Sequence, residues 1–364
     1  MKITLIAGAR PNFMKIAPII EAIKQSQEKG SALEYRLVHT GQHYDEKMSD
    51  TFFKELNIPF PDVNLECGGG TQAEQTASIM LKFEQELLAN PADVVLVVGD
   101  VTSTMACSIV AKKLNIRVAH VEGGIRSNDR SMPEEINRLL TDSISDYFFT
   151  TTPEAGDNLQ REGIHPSKIY FVGNTMIDTL LKHQASFRKP GFFDSWQLQD
   201  KKYFVITIHR PANVDDPNQL KYLLQEIVNN SHGMPVVFPV HPRTRKNMEQ
   251  FGISFPELLL TDPMGYLEFN YLVQHAKAVI TDSGGITEET TVMGIPCMTL
   301  RNSTERPETC VIGTNELLGT DPKAIAPAMK KLVDGVWKKG EIPDLWDGKT
   351  AQRIIAILSE MSAA

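Results

Sequence analysis

Short apolar runs ending in Gly, Asp or His alternate along this chain with longer amphipathic stretches. The runs predict buried parallel strands at residues 3–7, 35–40, 94–98, 118–121, 147–150 and 169–172, since a strand covered on both faces is apolar throughout rather than alternating. The stretches between them predict helices. In the first, Phe13, Ile16, Ile19, Ile20 and Ile23 share one stripe, and Pro11 stands where the first turn of a helix tolerates it. A second series follows the Pro- and Gly-containing segment 187–200, with strands at 203–208, 236–240, 258–261, 278–281 and 297–300. Strand and helix in strict alternation is the pattern of a parallel sheet with helices on both faces. The expected fold class is therefore α/β, with two Rossmann-like, doubly wound parallel-sheet domains at 1–173 and 174–347. A helix over about 348–364 is expected to pack back on the first domain. A ligand is expected in the cleft between the domains, at the carboxyl ends of the strands.

At 364 residues the chain is long enough for two cores. Its net charge of −8 argues against a nucleic-acid surface, although a local basic cleft can still hold an anion. No apolar run approaches the roughly 20 residues needed to span a bilayer, and MKITLIAGARP reads as strand and turn rather than as a signal peptide. Cys67, Cys107, Cys297 and Cys310 have no Cys-x-x-Cys spacing, so neither a disulfide framework nor a zinc knuckle is expected and the cytoplasm is the default location.

The stretch TDSGGITEETT, 281–291, carries the most specific chemistry. A strand ends at Thr281-Asp282, and Ser283, Gly284 and Gly285 turn into a helix bearing Glu288 and Glu289. Glycines there allow close backbone approach, and the helix's first N–H groups suit a phosphate. A carboxylate one turn on, such as Glu289, suits a ribose. Arg306, after the last strand, would add positive charge, or else form an ordinary ion pair. In the first half, Arg10 and Lys15 put two cations at a helix start that lacks the G-x-G-x-x-G fingerprint, which suits a diphosphate; a solvated lysine and a paired arginine are the plainer alternative. Asp100 and Glu122 each follow a buried strand, and Glu134 opens a helix. Carboxylates converging on one cleft push their pKa values apart, so that one donates a proton while another accepts. Turn-stabilising roles for Asp100 and Glu122, and a helix-dipole role for Glu134, remain open. His209 ends the first strand of the second half, where it can meet a leaving diphosphate or shuttle a proton, and His241 repeats the pattern. His120 and Glu122 share a strand face, but no third ligand is placed by spacing and no metal site is expected.

The motifs GARPNFMK, TGQHYDEKM, VVGD, HVEGGIRS, MPEEINR, GNTMID, PVHPRT, TDSGGITEE and TERPE, in this order from residue 8 to 308, resemble the non-hydrolysing UDP-N-acetylglucosamine 2-epimerases. The resemblance implies a glycosyltransferase-B-like fold, a homodimer, a UDP-sugar substrate and no added cofactor. It implies interconversion of UDP-N-acetylglucosamine and UDP-N-acetylmannosamine by C2 deprotonation, anti elimination of UDP and re-addition through 2-acetamidoglucal. By matching motif, Asp100, Glu122 and Glu134 become acid–base candidates, with His209 near the diphosphate. Arg10, Lys15, Ser283, Gly284, Gly285, Glu289 and Arg306 become nucleotide contacts. TGQHYDEKM keeps Gln42 and His43 but lacks a second glutamine, and Cys67-Gly68-Gly69-Gly70 supplies no arginine, which puts in question the second, activating substrate site of some bacterial members. TGQH with a following aromatic and Asp also resembles epimerases of UDP-2,3-diacetamido-2,3-dideoxyglucuronate. A retaining glycosyltransferase on the same architecture is the further alternative.

Overall fold

The computed structural model describes residues 1–41, 53 and 55–363. The chain divides into two compact units, one formed by Met1–Lys182 with Asp344–Ala364 and the other by His183–Pro343. Among the described residues no helix is long and apolar enough to cross a membrane.

The first unit holds strands β1 (Lys2–Ala7), β2 (Glu34–His39), β3 (Val63–Asn64), β4 (Val94–Val98), β5 (Arg117–Val121), β6 (Tyr147–Thr150) and β7 (Ile169–Phe171). All pair in parallel, in the order β3-β2-β1-β4-β5-β6-β7. Strand β4, with the sequence VVLVV, is buried at every position, as a central strand under helices on both faces requires. The order reverses between β1 and β4, so the crevice beyond their carboxyl ends is where this topology places ligands. The helix Arg10–Glu28 crosses from β1 to β2 and buries Phe13, Ile16, Ile19, Ile20 and Ile23, the stripe expected from the sequence.

That helix contains Pro18, which has no N–H to give the Met14 carbonyl. The Thr179 hydroxyl donates to Met14 O instead, at 2.6 Å, so the helix runs on without an orphaned carbonyl. A second helix, Gln72–Ala89, starts with a reciprocal cap: Glu74 N–H donates to Thr71 Oγ1 at 3.2 Å and Thr71 N–H to Glu74 Oε2 at 2.8 Å. The last helix, Thr350–Ala363, packs on Arg10–Glu28. Its first turn is held by buried Asp178, which accepts from Thr350 N–H and Ala351 N–H at 3.1 and 2.7 Å.

The second unit repeats the plan with β8 (Phe204–Thr207), β9 (Val236–Pro239), β10 (Leu258–Thr261), β11 (Ala278–Thr281), β12 (Cys297–Thr299) and β13 (Asn315–Leu317). The order is β10-β9-β8-β11-β12-β13, again all parallel, with its reversal between β8 and β11. The Pro- and Gly-containing segment 187–200, which precedes the second strand series, takes part in this core. It forms the short helix Phe192–Ser195 and buries Phe193 and Leu198 beside Tyr203 and Leu272. Two short edge strands, β3 and β13, are absent from the sequence-based strand set.

Candidate active site

In the first unit the turn after β1 is tied to the end of β4 by one side chain. Asn12 Oδ1 accepts from Gly8 N–H and Ala9 N–H at 3.1 and 2.9 Å, and its Nδ2 donates to Val98 O at 3.0 Å. This fixes the start of the helix that carries Lys15. Lys15 Nζ pairs with Glu122 Oε2 at 2.8 Å, where β5 ends. Gly99 lies beneath the pair: a Cβ there would approach Lys15 Nζ to 3.3 Å at a backbone φ of +69°. Glu122 itself has φ +71°, a left-handed conformation that costs an ordinary residue about 1–3 kcal/mol and concentrates at functional positions.

Asp100, one residue past Gly99, is gripped by Arg138. Nη2 and Nε donate to Asp100 Oδ2 at 2.5 and 3.1 Å, and Asn137 Nδ2 donates to the Asp100 carbonyl at 2.9 Å. Arg138 also pairs with buried Glu135 at 2.6 Å. Burial works against the Glu135 charge, but the amides of Ser127 and Asn128 and the Arg138 guanidinium outweigh it and hold the carboxyl below its ordinary range. Glu134 stands half-buried beside Glu135 in the first turn of the helix Pro133–Ile144.

His120 is engaged at both ring nitrogens, Nδ1 with Asp142 at 2.6 Å and Nε2 with the Gly99 carbonyl at 2.9 Å. It therefore braces the Gly99-Asp100 turn and has no nitrogen to share with Glu122 around a metal. Asp142 is fully buried, yet His120 and Arg126 overcome that burial and keep its carboxyl below the usual range. Gly124, in the same motif, is required by packing, since a Cβ there would lie 2.1 Å from the Ala155 carbonyl.

In the second unit the ends of β8 and β11 meet. Thr281 is in register with Thr207, which brings Asp282 beside His209. Asp282 is fully buried and accepts from His209 N–H at 2.9 Å, Arg210 N–H at 2.8 Å and Asn213 Nδ2 at 3.1 Å; His209 Nδ1 lies 2.9 Å from its other oxygen. Burial would raise the Asp282 pKa, but these donors, His209 first among them, hold it below the ordinary value. The His241 ring lies 5.8 Å from that of His209, and its Nδ1 accepts from Arg243 N–H at 3.2 Å as the cap of the helix Pro242–Gln250.

Ser283 is the N-cap of the helix Gly284–Met293, and its side chain makes no capping hydrogen bond to the first turn. Gly284 permits a close approach: a Cβ there would lie 2.5 Å from Glu305 Oε1, and Glu305 is paired with Arg301 at 2.6 Å. Arg306 is buried and pairs with Glu288 at 2.8 Å, so it is no surface ion pair. Glu289, also buried, accepts from Tyr266 Oη at 2.9 Å. Burial, reinforced by the neighbouring Glu288 charge, raises its pKa to about 7 even though Tyr266 opposes the shift. The Arg10 side chain and the segment with Gln42 and His43 lie outside the described residues.

The structure thus brings Lys15 to Glu122 and Arg138 to Asp100 in one unit. In the other it brings Asp282 to His209 and pairs Arg306 with Glu288 in the helix that follows Ser283. Asp282, Asn12 and Arg138 were not singled out from the sequence. Asp282 was within reach, because a strand order placing β8 against β11 puts both strand ends side by side.

The family model for UDP-N-acetylglucosamine 2-epimerase matches residues 25–359. The chain belongs to this family. Among the epimerases, a UDP-N-acetylglucosamine 2-epimerase of Methanocaldococcus jannaschii is 41% identical across 99% of both chains. Its crystal structure with UDP-GlcNAc and UDP superposes with a TM-score of 0.88, covering 99% of this chain and 100% of that one. A UDP-2,3-diacetamido-2,3-dideoxy-D-glucuronate 2-epimerase of Pseudomonas aeruginosa is also 41% identical, over 88% of each chain. A lipopolysaccharide outer core galactosyltransferase, 14% identical, superposes with a TM-score of 0.54 over 99% of this chain and 100% of that one, a likeness of fold alone. The fold of this epimerase-family chain is glycosyltransferase-B-like.

Proposed function

We propose that this chain interconverts UDP-N-acetylglucosamine and UDP-N-acetylmannosamine. A base removes the C2 proton, the C1–O bond breaks as UDP leaves, and 2-acetamidoglucal results. Reprotonation of C2 from the opposite face and return of the UDP oxygen to C1 complete the inversion. Substrate and product share one oxidation level, so the steps balance as proton transfers and C–O cleavage without a redox partner.

The observation that carries this reading is the 41% identity across 99% of both chains to an enzyme of that name. The geometry is consistent with it. Asp100, Glu122 and Glu134 are the proposed proton carriers, with Arg138 directing the Asp100 carboxylate and Lys15 set against Glu122. Ser283, Gly284 and Gly285 are the proposed diphosphate cradle, with Arg10, Lys15 and His209 supplying positive charge as the diphosphate leaves and Glu289 and Arg306 completing the nucleotide contacts. Incubation with UDP-N-acetylglucosamine in deuterated water tests it. Deuterium at C2 of both epimers is the expected result, and UDP release only on addition of a sugar acceptor would overturn it.

A second reading, epimerisation of UDP-2,3-diacetamido-2,3-dideoxyglucuronate, is favoured by the equally identical Pseudomonas relative. The same exchange assay with both sugar nucleotides separates the two, since a site built to hydrogen-bond one substituent rejects a sugar that lacks it.

A further inference from the structure

The His209 imidazole is half-exposed, yet its Nδ1 faces a carboxylate with no solvent exposure at all. Asp282 owes that burial to β11, which ends one residue earlier against β8, and to Asn213. The Asn213 Nδ2 donates both to Asp282 at 3.1 Å and to the Leu300 carbonyl at 3.0 Å. Two further donors on Asp282 are main-chain amides, of His209 itself and of Arg210. A carboxylate receiving this many N–H groups is fixed in orientation as well as in charge. An imidazole nitrogen 2.9 Å from it must carry the hydrogen, since two acceptors cannot face each other there.

We propose that Asp282 is a positioning residue for His209: it selects the Nδ1–H form of the neutral imidazole, locks the ring plane, and leaves Nε2 as the nitrogen that takes a proton from solvent and, as imidazolium, donates it in a hydrogen bond to the leaving diphosphate. The inference rests on the epimerase reading for the identity of the ligand at Nε2, whereas the tautomer itself does not depend on that reading. The logic is that of a base held by a third group, in which the orienting carboxylate never touches the reacting atoms. His241, whose ring lies 5.8 Å away, is itself engaged in capping its own helix.

The test uses the full chain labelled with 15N at its nine histidines. Long-range proton–nitrogen spectra report which ring nitrogen is protonated, and loss of one signal set in His209→Asn assigns the residue. Wild-type His209 is expected in the Nδ1–H form when neutral, and Asp282→Asn is expected to move it towards Nε2–H. Turnover in Asp282→Asn should fall on the order of 10²-fold. His209→Asn combined with Asp282→Asn should be within about twofold of His209→Asn alone, because the two act as one unit. A wild-type Nε2–H tautomer, or a double variant about tenfold or more below His209→Asn, overturns the proposal. Should Asp282→Asn fail to fold, the wild-type spectrum decides alone. Absence of C2 exchange with either sugar nucleotide would overturn the functional reading while leaving the tautomer result standing.

Discussion

Lys15 Nζ lies 2.8 Å from Glu122 Oε2, a residue 107 positions away, with both side chains nearly withdrawn from solvent. Removing one member of such a pair strands the other charge, at a cost of about 3–5 kcal/mol, whereas removing both charges is close to neutral. Lys15→Met is therefore expected to lower unfolding stability by about that amount, and Lys15→Met with Glu122→Gln to recover most of it. Urea unfolding of the two variants measures this. Equal stability of Lys15→Met and wild type would mean that the pair does not hold in solution. Turnover should be lost in both variants, because both remove the cation proposed for the leaving diphosphate and the double variant also removes a proposed proton carrier.

At Gly284 the expected outcome is reversed, with binding lost and the fold kept. A methyl group there would press on Glu305, whose carboxylate end can shift although Arg301 restrains it. Gly284→Ala also suits the first turn of a helix better than glycine does. UDP affinity should fall about tenfold or more, about 1.4 kcal/mol at the contact, while the melting temperature changes little because the atom met is the end of a side chain. Calorimetric titration with UDP, beside a thermal melt, gives both numbers. Undiminished affinity would remove this turn from the diphosphate site.

These two sites show what the sequence carried and what it did not. Strands such as Val94–Val98 and the stripe Phe13–Ile23 were legible because period and apolarity are local properties. The Ser283–Gly285 turn was legible because its chemistry is contiguous. The Lys15–Glu122 and Asp282–His209 contacts were not, because strand order alone joins residues 107 and 73 positions apart. Edge strands β3 and β13 escaped notice because two or three residues of mixed polarity carry no period. The segment 187–200 is marked in the sequence by its Pro and Gly, yet Phe193 and Leu198 find a core to enter.

Glu289 gives a pH signature with a definite sign. Its carboxyl has a pKa of about 7 in the folded chain against an ordinary 4.5. A raised folded value means that the folded state holds the proton more tightly than the unfolded state. The associated stability is fully present below pH 4.5 and is lost as the pH rises to about 7, an amount of about 3 kcal/mol. Relative to Glu289→Gln, wild-type stability should decline across that window and level off above it. Denaturant midpoints at half-unit pH intervals check this, and parallel curves for the two proteins would contradict it.

Thr179 offers a test of the helix around Pro18. Thr179→Val keeps the shape and removes the donor from Met14 O, which should cost about 1–3 kcal/mol for a buried carbonyl left without a partner. Pro18→Ala restores an N–H four residues along the helix. In the Thr179→Val background it should therefore regain most of the loss, read as the shift in urea midpoint. A simple sum of the two single effects would show that the hydroxyl is not standing in for the missing amide.

The helix Thr350–Ala363 belongs to the same unit as β1, although the whole of the other unit lies between them in the chain. The half encoded second is consequently the first to have all its parts when the protein is made. The half encoded first must wait, with the apolar flank of its opening helix uncovered, until translation reaches the last turn. A chain cut at residue 343 would hold every residue of one body and lack the closing piece of the other.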